Sequence, residues 1–312
     1  MTATLNSLPG YAAYAISSLL WSKLERFDKF QPIIEFLVHH EDPATRQGIS
    51  EAVIAVFQVQ EGAYSEQAKK WLFDLAQSDE RIARYPRIMS AVASFWKKDR
   101  NAVLKILKQL FYSSDEKSAE TGAFMITNLF IVMEDYNEEL YQMIFSKKLS
   151  PSQVQGCFGV TVDLMEESSC YERTKIVVEE LLTYPNDSLS RLFYQSSFAI
   201  PRDIELIKKI VSIDPVRAFG PMMHFIKKNG IAIIDFAEIF LKLCSSYAQK
   251  KDVIFKEGYY SIESELPAAI VKLYDEAEND EDLRSKCLDM WDFLYKSSIH
   301  NIVRLSQLIS DH

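Results

Sequence analysis

Apolar residues recur along this chain at the spacing of one face of an α-helix. Three stripes follow the spacing i, i+3, i+4, i+7, i+8: Ile49, Ala52, Val53, Val56 and Phe57; Ile88, Ala91, Val92, Phe95 and Trp96; and Val103, Ile106, Leu107, Leu110 and Phe111. Each stripe predicts an amphipathic helix of three to four turns. Because one stripe cannot be buried alone, the pattern predicts helices that stack on their neighbours.

The polar segments between the stripes repeat at a nearly constant distance. Their central residues are Asp42, Asp79, Asp115, Ser150, Asn186 and Asp214, separated by 37, 36, 35, 36 and 28 residues. All are residue types that cap a helix N-terminus by accepting backbone N–H groups. The step lies between that of tetratricopeptide units and that of HEAT or armadillo units. We therefore predict an all-α fold, a right-handed solenoid of about seven helix pairs, with second helices such as 43–59 and 115–133 lining one face.

Glycine and proline support helices. Only 9 of 312 residues are glycine, which disfavours tight turns and hairpins. Seven prolines each stand just before an apolar pattern, where a missing N–H costs nothing: Pro32, Pro43, Pro151, Pro185, Pro201, Pro215 and Pro267.

The rhythm changes after residue 230, which predicts two parts. Residues 1–230 are predicted to form the repeat array, and 231–312 a C-terminal helical cap. Within the cap, 231–247 reads as a buried helix, 248–265 as a loop or small hairpin, and 266–278, 280–298 and 299–310 as helices. At the other end, Tyr11 to Trp21 has the pattern of a second helix without a first helix before it, and this suggests a fragment of a longer protein.

Charge and cysteine usage narrow the class of protein. The net charge of -9 disfavours general binding to nucleic acid or to membrane surfaces. The four cysteines are far apart, which favours free thiols in a reducing compartment over disulfides or zinc. With no long apolar segment and no secretory leader, we expect a cytoplasmic protein without membrane contact.

No catalytic or cofactor-binding signature stands in the chain. The phosphate-binding loop G-x-x-x-x-G-K-[ST], the G-x-S-x-G elbow and the H-E-x-x-H zinc motif are absent from the sequence. His39 and His40 end a helical pattern, and His224 is expected in the core. The acidic run 275–282 reads as a solvated face, with metal or basic-partner binding as the alternative. We therefore predict no enzyme activity and no cofactor.

One basic segment departs from the acidic average. From 191 to 228 seven basic residues face three acidic ones, a local charge of +4. A basic surface can bind an acidic or nucleic-acid ligand, and the following segment adds aromatic groups. The candidate partner-binding residues are Arg191, Arg202, Lys208, Lys209, Arg217, Lys227, Lys228, Lys256, Tyr259 and Tyr260. The alternative is that Lys208, Lys209, Lys227 and Lys228 complement helix C-termini.

Two turns resemble a known repeat family. Asp42-Pro43 with Arg46, and Asp214-Pro215 with Arg217, are similar to the inter-helix turn of HEAT repeats. In that family the aspartate and arginine of successive repeats form a ladder along the solenoid. Lys117 replaces the arginine in the third turn, and Gln153 and Ser188 stand near that position in the next two.

A narrower resemblance concerns two longer segments. Residues 6–53, and 265–297 with Leu283 to Asp289 reading LRSKCLD, resemble the C-terminal helical-repeat region of bacterial STAND-type ATP-binding proteins, including phage-defence proteins. This resemblance implies a sensor surface, with NTP chemistry in a covalently preceding module outside this chain.

Three functions follow from these patterns. The first is a protein-interaction or ligand-sensing solenoid with a protein partner. The second is a nucleic-acid-binding HEAT-like protein that uses the segment from Arg191 to Lys228. The third is a HEAT-like DNA glycosylase, which requires an aromatic residue and a carboxylate, for example Trp96 and Asp163, on one face.

Overall fold

The regular secondary structure in the described part of the chain is entirely helical. The computed structural model describes residues 8–59, 65–133, 137–165, 167–184, 203–243 and 260–296, and none of them forms a strand. The all-α prediction is therefore confirmed for these ranges. None of the described helices is long and apolar enough to cross a membrane.

The chain divides into two compact units, Met1–Val160 and Thr161–His312. The helices of the first unit are α1 Leu8–Ser22, α2 Phe27–Val38, α3 Pro43–Val59, α4 Ser65–Ser78, α5 Glu80–Ala83, α6 Pro86–Ala93, α7 Arg100–Phe111, α8 Glu116–Val132, α9 Glu138–Ile144 and most of α10 Pro151–Leu164. Those of the second unit are α11 Tyr171–Leu181, α12 Ile204–Ile213, α13 Pro215–Asn229, α14 Tyr260–Glu276 and α15 Glu281–Lys296. The boundary lies within α10, and the boundary expected after residue 230 stays a prediction.

Helices of the first unit alternate in two series with similar steps. The first series, α2, α4, α7 and α9, begins at residues 27, 65, 100 and 138. The second series, α3, α5, α8 and α10, begins at residues 43, 80, 116 and 151, so its steps are 37, 36 and 35 residues. Helix α1 packs chiefly on α3.

The predicted apolar stripes form the core of the first unit. Every stripe residue is buried except Phe57, which is half-buried. One boundary differs from expectation, since α6 ends at Ala93 and leaves Phe95 and Trp96 in the following turn. Both rings are buried in that turn. The helical spacing of the stripe therefore identifies the buried side chains correctly but not the residue at which the helix ends.

The predicted capping residues cap helices wherever they are described. Asp42 accepts from the backbone N–H groups of Ala44 and Thr45, each at 3.1 Å. Asp79, Asp115 and Asp214 do the same for α5, α8 and α13. Ser150 and Gln153 bond each other's backbone N–H groups, the reciprocal capping box. Asn186 lies outside the described residues.

Sequence reasoning missed a second row of caps. Asp99, Asn137 and Asp203 cap α7, α9 and α12, and Asp280 accepts from Leu283 N–H at the start of α15. Capping by Asp or Asn therefore marks helices of both series.

The helix starts predicted from proline are correct at some positions and wrong at others. Pro43, Pro151 and Pro215 begin helices, but Pro32 lies inside α2 and Pro267 inside α14. Because α14 begins at Tyr260, residues 260–265 of the expected loop are helical, so the expectation is wrong for its last six residues. Tertiary contacts support this first part of α14: Leu266 is fully buried, and Glu265 pairs with Lys227 at 3.0 Å. Residues 248–259 and the expected final helix at 299–310 lie outside the described part.

The segment 231–247 is only partly a regular helix. Residues 231–232 are not helical, a 3-10 turn covers Ile233–Phe236, residues 237–243 are helical, and residues 244–247 lie outside the described residues. Ile233, Phe236, Phe240 and Leu243 are buried, so the expected burial is confirmed for them.

Two glycines allow close helix packing in the first unit. A Cβ on Gly156 of α10 would lie 2.1 Å from the backbone oxygen of Glu120 in α8. A Cβ on Gly122 of α8 would lie 2.4 Å from the backbone nitrogen of Phe111 at the end of α7. These approaches place α8 directly against both α7 and α10.

Candidate interaction groove

A groove of about 630 Å³ runs between α6 and α8 in the first unit. Its lining is mostly apolar. The apolar lining residues are Pro86, Met89 and Ala93 on the α6 side, and Phe124, Met125, Leu129, Val132 and Met133 on the α8 side.

Helical periodicity explains why these residues share one groove. On α8 the lining positions 120, 121, 124, 125, 128, 129 and 132 fall on one face, because neighbours on a helix surface lie three and four residues apart. On α6 the positions 86, 89, 90 and 93 do the same, and Ser94 follows directly after the helix end. The core residues, such as Ile88 and Ile126, lie on other faces of the same helices. Each helix therefore has one apolar face for the core and a second one for the groove.

Burial varies across the groove in a way suited to binding. Met89 and Leu129 are buried and form the floor. Phe124 and Met125 are half-buried, and Val132 is 46% exposed. Methionine side chains adapt to differently shaped apolar partners, so a wall containing Met125 and Met133 tolerates variation in the ligand.

A polar cleft of about 570 Å³ adjoins the apolar groove. Arg84, Pro86, Glu120 and Thr121 line both, so the two form one continuous depression. The polar cleft adds Gln47, Arg81, Tyr85 and Lys117.

Two of the three basic groups at this polar end are bound to capping carboxylates. Arg81 donates to Asp79 from Nη2 at 2.7 Å and from Nε at 3.0 Å. This hydrogen bonding raises the pKa of Arg81 and lowers the pKa of Asp79. Arg84 donates to the Asp115 carboxylate.

Two arginines reach from one capped turn to the next. Arg46 lies 3.8 Å from Asp79 of the following turn, and Arg84 pairs with Asp115 of the turn after that. The third turn carries Lys117, and the turn that follows is capped by Ser150, which has no carboxylate. Among the described residues Lys117 forms no ion pair, and it is exposed. It is therefore the cation at this end of the groove that is available to a ligand.

The predicted basic site is largely neutralised where it is described. Lys208 pairs with Glu205, Lys209 with Glu179, Arg217 with Asp214 and Lys227 with Glu265, at distances of 2.9, 2.7, 3.6 and 3.0 Å. Lys228 is exposed in the last turn of α13. Arg191, Arg202, Lys256 and Tyr259 lie outside the described residues, as does the side chain of Tyr260, whose backbone begins α14. The basic face stays a prediction.

The alternative explanation, that these lysines complement helix C-termini, holds for two of the four lysines. Lys227 and Lys228 lie in the last turn of α13, where they complement the helix dipole. Lys208 and Lys209 lie in the interior of α12, whose last turn contains no basic residue.

The described residues include no cluster of metal-ligating side chains. No group of three or more His, Cys, Asp and Glu side chains converges within the described ranges. Cys157, Cys170 and Cys287 are free thiols, as predicted, and burial raises the pKa of Cys157 to about 11, which keeps it protonated. Cys244 lies outside the description.

Trp96, the example of an aromatic residue for the glycosylase alternative, is buried. It is 2% exposed, and the Arg100 guanidinium lies 5.2 Å from its ring centroid. A buried ring cannot stack on an extruded base, so Trp96 does not suit that role, and the alternative itself stays a prediction. His224, expected in the core, is exposed on α13.

Sequence reasoning did not find the groove, although a signal was present. Phe124, Met125 and Val132 are apolar residues beside, and not within, the core stripe of α8, and an apolar face additional to the core often marks a binding surface.

Comparison of the chain with protein-family models, with curated proteins and with solved structures gives no match.

Proposed function

We propose that this protein is a non-catalytic, HEAT/armadillo-like right-handed solenoid of about seven helix pairs that binds a protein segment along the α6–α8 groove. The groove itself carries the proposal. It offers an apolar floor, adaptable methionine walls, and one exposed lysine at its polar end. Helix-in-groove recognition uses this combination of features.

The length of the groove indicates the length of the ligand. Its α8 face extends from Glu120 to Val132, which corresponds to about 18 Å at the rise of an α-helix. A helical segment of three to four turns has this length. We therefore expect a ligand with apolar side chains at i, i+3, i+4 and i+7, and with a carboxylate at the end that meets Lys117.

The wider role rests on resemblance. The segments similar to STAND-type proteins support a sensor part whose NTPase module precedes it, and the free thiols fit a cytoplasmic location. An NTPase module encoded directly upstream in the same reading frame would support this role. An upstream stop codon would contradict it without affecting the groove.

The groove can be tested by selecting ligands from a random peptide library against the full chain and measuring their affinities by fluorescence anisotropy. Val132→Lys and Met125→Lys place a charge in the apolar wall. We expect each to weaken the selected peptides about tenfold or more, which is about 1.4 kcal/mol.

The matched control is Ile176→Lys on α11. Ile176 is 49% exposed and Val132 46%, so both substitutions replace a β-branched side chain of similar exposure. The control should bind the peptides normally, and all variants should keep the helical circular dichroism of the parent. Selection of no peptide, or equal losses in control and groove variants, would contradict the proposal.

A further inference from the structure

Helix α1 contains no charged residue along its whole length, Leu8–Ser22. One side of it is buried against the first unit. Ala13, Ile16, Ser17 and Leu20 are buried there, and Ser17 Oγ donates to the Gly48 carbonyl of α3 at 3.2 Å. A helix that is apolar on all sides is normally covered on all sides.

The opposite side of α1 is exposed. Leu8 is 84%, Tyr11 61%, Tyr14 48% and Trp21 43% exposed. Tyr11, Tyr14 and Trp21 follow the spacing i, i+3 and i+10, with Ser18 between them, so they form one aromatic face. Tyrosine and tryptophan are the residues that contribute most to protein interfaces.

The neighbouring helix α2 adds apolar surface. Ile33 is 44% and Phe36 66% exposed, and α2 contacts α1. Including Leu19, the exposed apolar side chains of these two helices amount to about 800 Å², taking roughly 200 Å² for a fully exposed large side chain. The largest apolar patch on a typical monomer is about 300–600 Å². One partner in a standard protein interface contributes about 800 Å².

The charge distribution favours a second copy of the chain as the occupant. At a net charge of -9, two copies repel each other unless they meet on a face without charge, and α1 is such a face. A two-fold contact joins the same patch on both copies, so the patch must tolerate itself. Tyrosine, tryptophan, leucine and serine satisfy this requirement. A membrane surface is a poorer fit, because interfacial helices carry a lysine- and arginine-rich polar face that α1 lacks.

We propose that the outward face of α1, extended by Ile33 and Phe36 of α2, is the interface of a two-fold homodimer in which α1 packs against α1 of a second copy. The proposal is independent of the α6–α8 groove, which lies on other helices.

Sedimentation of the full chain from about 1 to about 100 µM tests this interface. The parent should have twice the monomer mass of 35.9 kDa at the upper concentrations. Tyr11→Glu/Tyr14→Glu places four negative charges across the two-fold interface, and we expect the dissociation constant of the dimer to rise at least about tenfold.

Tyr112→Glu/Tyr295→Glu is the matched control. These tyrosines are 68% and 55% exposed and lie outside α1 and α2, so this variant should dimerise like the parent. A second variant, Ser18→Arg, keeps every apolar side chain of the face and places two like charges across the two-fold interface, and it should also raise the dissociation constant of the dimer. Circular dichroism of all variants confirms that they fold.

Two outcomes would overturn the proposal. One is a parent chain that stays monomeric at the highest concentration, which would leave the face to a different protein or module. The other is a dimer that Tyr11→Glu/Tyr14→Glu and Ser18→Arg do not weaken.

Discussion

Single aspartate carboxylates stabilise the N-termini of helices in this protein. The backbone N–H and hydroxyl of Ser118 lower the pKa of Asp115 below its ordinary value of 3.8, and Arg84 acts in the same direction. A hydrogen bond from the Thr45 hydroxyl, with backbone N–H groups, likewise lowers the pKa of Asp42. A lowered carboxylate pKa means that the charged form stabilises the folded state.

Asp115→Asn should therefore have a pH-dependent effect on stability. Asparagine caps a helix about as well as aspartate but cannot pair with Arg84. Because the folded pKa is lowered, the advantage of aspartate is complete above its unfolded pKa and is lost as the pH falls through the folded value. Urea unfolding should show a less stable variant near neutral pH, and a narrower gap from the parent below pH 3.8. A gap that does not change with pH would show that the charge contributes nothing.

Gly156 controls the contact between α10 and α8. A methyl group there would lie 2.1 Å from the Glu120 oxygen and 3.0 Å from the Phe124 nitrogen, and backbone atoms cannot swing away as a flexible side chain can. We expect Gly156→Ala to lower the free energy of unfolding by about 1–3 kcal/mol, the usual cost of overpacking.

Gly159 provides the control on the same helix. A methyl group at Gly159 would lie 3.4 Å from the Phe124 ring, which is ordinary contact with a side chain. Gly159→Ala should be neutral or stabilise the protein by up to about 1 kcal/mol, since alanine is the better helix former. Chemical denaturation of both variants distinguishes the two sites. Equal stabilities of the two variants would mean that α8 and α10 can move apart without a loss in the free energy of unfolding.

At the scale of elements, the apolar stripes hold the helices of the first unit together. Val53 in α3 and Leu107 in α7 are both fully buried. Val53→Asp and Leu107→Asp each place a charge in a core shared by several helices, which costs several kcal/mol. We expect either substitution to unfold several helices together, measured by thermal melting of the helical circular dichroism signal.

Gln109→Asp tests whether position or charge causes that loss. Gln109 is exposed on α7, two residues beyond Leu107. This variant should melt within a few degrees of the parent, because exposed substitutions usually change stability by less than about 0.5 kcal/mol. Core variants that melt like this control would show that the stripes are assigned wrongly.

Helix boundaries were harder to predict than the helices themselves. Pro86 separates α5 from α6, which together stand where the other repeats have one second-series helix. The stripe that begins at Ile88 predicted only α6. Pro267 indicated a helix start, yet α14 begins at Tyr260. Proline in a helix interior is unfavourable locally, and only tertiary contacts, such as the burial of Leu266, offset that cost.

At the scale of the whole molecule, we predict that the isolated chain does not hydrolyse nucleoside triphosphates. The glycines never form the phosphate-binding loop, and the STAND resemblance assigns that chemistry to a preceding module. Phosphate release by purified chain should equal the background. Turnover that keeps a constant specific activity through two further purification steps would contradict this.

The net charge of a segment is not the net charge of the surface that the segment forms. Counting residues from 191 to 228 shows an excess of positive charge, but Glu179 and Glu265, which lie outside that window, pair with Lys209 and Lys227. Folding brings these acids to the basic helices. The local charge along the chain therefore differs from the charge that a ligand would meet.

The sequence by itself determined the helices, their caps and their spacing. The stripes through Val53 and Leu107 and the caps Asp42, Asp79 and Asp115 follow from local physics: the 3.6-residue period and the unpaired N–H groups at a helix start act within one turn of the chain. The groove, the pairing of Arg84 with Asp115, the close approach at Gly156 and the exposed face of α1 were decided by the tertiary structure. Each of these depends on which second helix, distant in sequence, lies alongside the first, and no local pattern encodes that neighbour.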